Sequence, residues 1–229
     1  MTISQFDFYQ ARQNMVDNQL RPAWVNTIRI VSTMRVLPRE ECVNESQREL
    51  AYADINLPLR DGRVLSEPRV IARMVQIADI QPSDKVMIIG AGTGYSAALI
   101  AHLTEKSVYA VEENEILSKQ GEAFCKKYAP NVVWKHGKLC DGFTEIAPFD
   151  VIIIDGGITT LPASLIKQLA PNGRLVSVLH KEGQASQAVL IEHSSNGFRS
   201  KPYFYAALPI LSELNPNYND FSFSDMVSL

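Results

Sequence analysis

Three glycines and one acid form the pattern in this sequence with the clearest chemical meaning. Gly90, Gly92 and Gly94 stand at alternate positions directly after the apolar run 86–89, and Glu112 follows Gly94 by eighteen residues. Glycine lets the backbone adopt positive φ and lets a ligand approach the main chain closely. An acid about 20 residues beyond such a turn hydrogen-bonds ribose hydroxyls in nucleotide-binding folds. The pattern therefore predicts a site for an adenosyl cofactor.

The spacing of the glycines favours S-adenosylmethionine over NAD. A dinucleotide fingerprint reads G-x-G-x-x-G/A. Here the third glycine comes one residue early, and Tyr95 fills the later position. The alternative at this point is a glycine-rich turn that binds no ligand, because a glycine motif alone is weak evidence.

A parallel sheet is needed to bring these residues together. Strands are predicted over 86–89, 108–111, 132–134, 149–154 and 174–179, and helices over 116–128 and 161–169. This alternation predicts an α/β fold with a doubly wound, mostly parallel sheet of the Rossmann-like type. Ligands bind beyond the carboxyl ends of such strands, where the glycine turn, Glu112 and Asp155 are expected. Two final strands, over 187–191 and 202–208, read as a hairpin around 194–197.

The chain divides into three predicted parts. Residues 1–80 form a helical and loop-like N-terminal extension packed on the core, 81–211 form the S-adenosylmethionine-binding domain, and 212–229 form a weakly ordered tail. In the extension we expect helices over 8–20 and 25–36. The apolar stripe expected on the second consists of Val25, Ile28, Val31 and Val36.

Two smaller expectations concern single elements. Ser66 is a candidate N-cap of a helix whose first turn holds Glu67 and Pro68. The aromatic run 203–205 is expected in the core.

Composition excludes several classes of function. The 229 residues carry 22 basic and 25 acidic side chains, a net charge of −3 without charged blocks, so nucleic-acid binding by simple electrostatics is not expected. Cys42, Cys125 and Cys140 are far apart and the four histidines are dispersed, so neither a disulfide framework nor a metal site is predicted. No apolar run of about 18 residues predicts membrane insertion, and no export signal is visible, so we expect a cytoplasmic protein.

Several short stretches occur in an order that resembles the protein-L-isoaspartate O-methyltransferase family, from about Met15 to Leu211. They are Met15–Leu20 with Arg21, Val36–Glu40, Ala51–Asp54 with Leu57–Pro58, Leu65–Ser66 with Pro68, Ile89–Tyr95, Val111–Glu112, His136–Gly137 and Ala147–Asp150. The resemblance implies a repair enzyme that uses S-adenosylmethionine to methylate the free carboxylate of isoaspartyl residues in damaged proteins. The resulting ester then collapses to a succinimide.

The resemblance also implies roles for individual residues. Ser66 would hold the substrate carboxylate, the three glycines would approach the methionine and ribose parts of the cofactor, and Glu112 would hold the ribose. Asp141 is a candidate contact to the adenine amine. Because a carboxylate is already ionised at neutral pH, the reaction needs no strong base. Alignment of the reactants and exclusion of water would supply the catalysis.

The chain departs from the family pattern at several positions near the expected cleft. Ile88 stands where the family usually has an acid, and Lys138 stands where it has the adenine-binding Asp. Glu67 and Arg69 replace the usual Gln and aromatic residue beside Ser66, and Asp155-Gly156-Gly157 replaces Thr-Ala-Ala. Two alternatives therefore stay open. One is methyl transfer to another carboxylate or small molecule, and the other is a non-catalytic binding or regulatory module. The oligomeric state is not predicted.

Overall fold

The computed structural model describes residues 6–194 and 197–214, which contain nine strands and six α-helices. The strands are β1 Leu57–Pro58, β2 Val64–Leu65, β3 Val86–Ile89, β4 Val108–Glu112, β5 Val132–His136, β6 Phe149–Ile158, β7 Leu169–Leu179, β8 Gln187–Ser194 and β9 Gly197–Tyr205. The helices are α1 Phe8–Met15, α2 Ile28–Met34, α3 Pro68–Ala78, α4 Tyr95–Ala101, α5 Glu115–Tyr128 and α6 Ala163–Ile166.

Seven strands form one sheet in the order β5-β4-β3-β6-β7-β8-β9. The first five strands in that order pair in parallel, and β8 and β9 complete the sheet as an antiparallel hairpin. The predicted doubly wound, mostly parallel α/β fold is thus confirmed. The strand order reverses between β3 and β6, which is the switch point where ligands bind in open α/β sheets.

The central strand β3 shows why its sequence is apolar throughout. All four of its residues are buried, because both faces of the sheet are covered. Ile88 packs into the hydrophobic cluster on one face, whereas Met87 and Ile89 pack into the cluster on the other. The position where the resemblance leads one to expect an acid therefore lies inside the core.

The extension packs through a different stripe from the one predicted. Helix α2 covers only seven residues, so Val25 and Val36 lie outside it. Ile28 is 77% exposed and Val36 is 68% exposed, whereas Ile30 and Met34 are buried. The predicted stripe is therefore wrong at Ile28 and Val36. The buried face of α2 consists instead of Ile30, Val31, Thr33 and Met34, which pack toward the core.

The start of α3 also differs from the prediction. Glu67, and not Ser66, is the N-cap residue, and no side chain caps the helix. Ser66 turns away because its hydroxyl donates to Asp155 instead. Pro68 does open the helix, as its fixed φ and missing N–H favour.

Several further elements differ from their predicted bounds or burial. Helix α6 covers only 163–166, since β7 begins at Leu169 to pair with Phe149. Strand β6 continues through Asp155 to Ile158. The expectation of a core position for the aromatic run 203–205 holds only for Phe204 and is wrong for Tyr203 and Tyr205, because β9 is an edge strand and these two side chains lie exposed on it. Part of the predicted hairpin turn, residues 195–196, lies outside the described residues.

After β9 the chain returns across the carboxyl edge of the sheet, and we call residues 206–214 the crossing segment. Gly157 donates its N–H to the carbonyl of Pro209 (2.7 Å), and Leu211 donates its N–H to the carbonyl of Gly157 (2.9 Å). A 3-10 turn over Ser212–Leu214 follows, with Leu214 buried. Of the predicted tail, residues 215–229 lie outside the described residues. Among the helices in the described part of the chain, none combines the length and apolar character that a membrane span requires.

Candidate functional site

The glycine turn is bonded directly to the neighbouring strand. The N–H groups of Gly90 and Ala91 both donate to the carbonyl of Val111, at 3.0 and 3.1 Å. Gly90 has φ +74° and Gly94 has φ +91°, values in the left-handed region that glycine adopts without strain. The turn therefore lies beside the end of β4, as the spacing predicts.

Gly94 is also required for packing. A Cβ atom at this position would stand 2.7 Å from the carbonyl oxygen of Gly121 in α5. A Cβ atom on Gly121 would in turn stand 2.7 Å from the carbonyl oxygen of Gly92. Helix α5 therefore abuts the back of the turn with no clearance for a side chain.

Glu112 is fully buried at the end of β4, and its carboxylate is held from three sides. Gly92 N–H donates to Oε2 (2.7 Å), whereas Asn114 N–H (2.9 Å) and the Arg63 guanidinium (3.0 Å) donate to Oε1. The glycine turn itself thus orients the acid. Arg63 supplies the opposite charge that a buried carboxylate needs. No local signal marks Arg63 in the sequence, because its partner is 49 positions away.

Two side chains fill the space in front of Gly90. Arg63 also donates from Nη2 to the carbonyl of Gly90 (2.8 Å). A Cβ atom on Gly90 would stand 2.8 Å from that nitrogen and 2.9 Å from Cδ1 of Leu211. On Gly156, a Cβ atom would stand 2.5 Å from Cγ of Leu211. The clearance left by both glycines is therefore occupied by other parts of this chain.

Ser66, the residue predicted to hold the substrate carboxylate, belongs to a cluster of two hydroxyls and one carboxylate. The hydroxyls of Ser66 and Ser96 donate to different oxygens of Asp155, each at 2.6 Å. The buried Arg39 donates to the main-chain carbonyl of Ser66 (2.7 Å), and its guanidinium lies over the ring of Tyr95. Ser66 is thus fixed through both its side chain and its main chain.

Glu67 and Arg69, the two residues near Ser66 that depart from the family pattern, form an ion pair with each other. The guanidinium of Arg69 lies 3.3 Å from carboxylate oxygens of both Glu67 and Asp54. Burial raises the pKa of the Glu67 carboxyl, the charge of Asp54 adds to this, and Arg69 opposes it. Arg69 is therefore engaged by two acids of its own surroundings.

The loop after β5 contains the candidate adenine contact. Gly137 N–H donates to the carbonyl of Glu112 (3.2 Å), so this loop lies against the end of β4. Lys138 and Asp141 are both exposed. Leu139 N–H donates to the carboxylate of Glu113 (3.1 Å), a second acid at this edge that the motif reasoning did not single out. The role of Asp141 stays a prediction.

A cavity of about 610 Å³ lies on another side of the glycine turn. It is lined by Thr93 of the turn, by Leu59 and Val43 of the extension, and by Ile116 and Phe124 of α5. Neither Glu112 nor Ser66 contributes to its walls.

The three cysteines are free thiols. Burial raises the pKa of Cys125 to about 12 and that of Cys42 further still, so both stay protonated near neutral pH. Within residues 6–194 and 197–214, no group of three or more His, Cys, Asp or Glu side chains is gathered as ligands of one metal ion.

The fold defines a Rossmann-like α/β protein whose glycine turn and Glu112 lie at the switch point of its sheet, the place where such folds bind their ligands. Comparison with known proteins narrows this class. The family model described as protein-L-isoaspartate(D-aspartate) O-methyltransferase matches residues 10–208. The chain therefore belongs to this family.

Individual relatives agree with this assignment. Protein-L-isoaspartate O-methyltransferase 1 of Syntrophobacter fumaroxidans is 34% identical over 194 residues, which cover 84% of this chain and 90% of that one. The protein-L-isoaspartate O-methyltransferase of Protochlamydia amoebophila is 38% identical over 163 residues, covering 71% and 77%. A Plasmodium falciparum structure, described as a beta-aspartate methyltransferase in complex with S-adenosyl-L-homocysteine, superposes with a TM-score of 0.72 at 18% identity. It covers 91% of this chain and 100% of that one, and this likeness shows the shared fold.

Proposed function

We propose that the protein transfers a methyl group from S-adenosylmethionine to the free carboxylate of isoaspartyl residues in damaged proteins. The observation that carries this proposal is the family match over residues 10–208. The buried acid beside the glycine turn supports it, because this pair is what an adenosyl ligand requires. The partner is accordingly a peptide or protein that contains isoaspartate.

The chemistry of the site fits the cofactor, although Arg63 and Leu211 fill the space in front of Gly90 in this conformation. Once Arg63 moves away, Glu112 would offer a carboxylate oxygen to the ribose hydroxyls, and Gly90, Gly92 and Gly94 carry no Cβ atom that would keep the ligand from the main chain. Asp141 would accept from the adenine amine. When bound, S-adenosylmethionine supplies the electrophilic methyl group.

On the acceptor side, the chain provides orientation. Ser66 is buried and is fixed by the hydrogen bond that its hydroxyl donates to Asp155 and by the one that its carbonyl accepts from Arg39. Because the acceptor carboxylate is already ionised, the protein has no proton to remove. Its contribution is to hold that carboxylate in line and to keep water away from it.

The test uses matched peptides that differ only in an aspartyl or an isoaspartyl linkage. Incubated with the purified protein and S-adenosylmethionine, only the isoaspartyl peptide should gain a methyl ester, detected by mass spectrometry. The proposal fails if the protein binds S-adenosylhomocysteine normally but methylates neither peptide.

One observation favours a second candidate, which is methyl transfer to a different acceptor. Ser66 donates its only hydroxyl hydrogen to Asp155, so it presents lone pairs to an incoming group. Lone pairs and a nearby negative charge suit an acceptor that carries a hydrogen-bond donor better than a bare carboxylate. A panel of amine, hydroxyl and carboxylate acceptors separates the two, and exclusive isoaspartyl methylation would eliminate this candidate.

We further propose that the protein acts in the cytoplasm. The support is that Cys42, Cys125 and Cys140 are all free thiols, as a reducing compartment maintains them.

A further inference from the structure

The cleft in front of the glycine turn is closed by the chain itself. Leu211 is 3% exposed, and its side chain lies against Gly90 and Gly156. Gly90 directly follows β3, and Gly156 lies near the carboxyl end of the neighbouring parallel strand β6, at the switch point. An adenosyl ligand that approaches the main chain at Gly90 needs the volume that Leu211 now occupies.

The main chain holds Leu211 in this position. Gly157 donates to Pro209 and Leu211 donates to Gly157, so two hydrogen bonds join the crossing segment to β6. These bonds form an isolated bridge at Gly157 and Ile210 and do not extend into a longer ladder. The attachment of residues 209–211 to β6 is thus short. The start of the segment is held separately, since Asn56 donates to the carbonyl of Ala207 and the His180 ring lies 2.8 Å from the carbonyl of Leu208, so only the part around Leu211 needs to lift.

Arg63 also fills space in front of Gly90. Its guanidinium bonds Glu112 and the Gly90 carbonyl at once. It thereby satisfies the acid that ribose hydroxyls would otherwise bind. The closed state is therefore stable without a ligand, because the buried carboxylate of Glu112 keeps its hydrogen-bond partners.

We propose that the crossing segment is a strap which closes the cofactor cleft through Leu211 and lifts from β6 when the cofactor binds. This inference rests on the proposed function only in taking S-adenosylmethionine and its product as the ligands. On binding, the ligand replaces Leu211 as the group in contact with Gly90 and Gly156. Part of the binding free energy is therefore spent on opening the cleft.

The test compares two leucines of the same segment in the full-length protein. Leu214→Ala is the matched control, because Leu214 is 5% exposed and packs in the same cluster, whereas the atoms nearest to the Gly90 and Gly156 positions include those of Leu211 and none of Leu214. Calorimetric titration with S-adenosylhomocysteine should give a Kd about tenfold lower for Leu211→Ala than for Leu214→Ala, since a smaller side chain is easier to displace. An equal or higher Kd for Leu211→Ala would overturn the proposal.

Hydrogen exchange gives a second readout that does not depend on a substitution. In the wild-type protein, S-adenosylhomocysteine should accelerate exchange of the Gly157 and Leu211 amides, because both donate across the strap. Unchanged or slower exchange at these amides contradicts lifting.

The outcome is separable from that of the proposed function. If the ligand binds and the strap lifts while isoaspartyl peptides stay unmethylated, only the proposed function fails. If isoaspartyl peptides are methylated while the two alanine variants bind equally, only the strap fails.

Discussion

The hydroxyl of Ser66 donates a hydrogen bond to the carboxylate of Asp155, with 2.6 Å between Oγ and Oδ1. The two residues are 89 positions apart in the chain. Ser96 donates to the other oxygen of Asp155, so the carboxylate is held between two hydroxyls. A negative charge therefore lies directly behind the residue that is proposed to hold a negatively charged substrate.

Removing that charge should improve the use of isoaspartyl peptides. In Asp155→Asn, we expect the KM for an isoaspartyl peptide to fall about tenfold, since repulsion of about 1.4 kcal/mol is removed. Steady-state kinetics at saturating cofactor measures this. Glu192→Gln, which removes one exposed charge from β8, is the control for net charge. A KM that rises or stays constant in Asp155→Asn would contradict the prediction.

Loss of the Ser66 hydroxyl should impair methylation of the acceptor peptide and leave cofactor binding unchanged. In the substrate complex the Ser66 hydroxyl has to turn from Asp155 to the substrate carboxylate, because it has one hydrogen to donate. Ser66→Ala removes this donor and is expected to lower kcat/KM for the peptide by about 10- to 100-fold, the range of one hydrogen bond to a charged group. The Kd for S-adenosylhomocysteine should stay unchanged.

Ser96→Ala provides the comparison for Ser66→Ala, since it removes the other donor to Asp155 while keeping the Ser66 hydroxyl. Its kcat/KM should fall less than that of Ser66→Ala. Equal losses in the two variants would indicate that both serines act only by holding Asp155.

The ion pair of Glu112 and Arg63 should matter for stability as well as for binding. Glu112→Gln leaves the buried guanidinium without a counterion, and we expect the free energy of unfolding to fall by about 3 kcal/mol. Urea denaturation measures the change. Asp17→Asn breaks the exposed ion pair with Arg35 and should cost much less. The prediction fails if both substitutions have equal effects, and adding Arg63→Gln to Glu112→Gln should recover part of the loss.

Cysteine modification can locate the adenine end of the site. Cys140, next to Asp141, is half-buried, whereas Cys42 and Cys125 are buried thiols. Burial and the adjacent carboxylate of Asp141 raise the pKa of Cys140, so its alkylation should accelerate as pH rises above neutral. Mass spectrometry should find Cys140 alkylated first in the native protein, and more slowly when S-adenosylhomocysteine is present. Equal rates with and without the ligand would place the adenine away from Asp141.

The sequence predicts the parts of this molecule that repeat or follow local rules. Strand β3, the glycine turn and helix α5 are readable because apolar runs, glycines and helical spacing act within a few residues. The same local reasoning fails at Ile28 and Ser66. A short helix and a distant carboxylate, respectively, override the local pattern there.

The contacts that close the cleft could not be predicted in this way. Arg63 meets Glu112 and Leu211 meets Gly90 only because the sheet brings distant segments to one edge. Hydrophobic periodicity carries no information about such pairs, since neither Arg63 nor Leu211 breaks any pattern in its own segment.

The contact between Gly94 and Gly121 determines which side of the cleft can move. Because α5 touches the back of the turn without clearance, the turn cannot retreat when a ligand presses on it. The glycine turn is therefore the rigid side of the cleft. The cleft has to open on the side formed by Leu211 and Arg63. Substitutions that loosen α5 should therefore weaken the affinity for the ligand, whereas substitutions that loosen the other side should strengthen it.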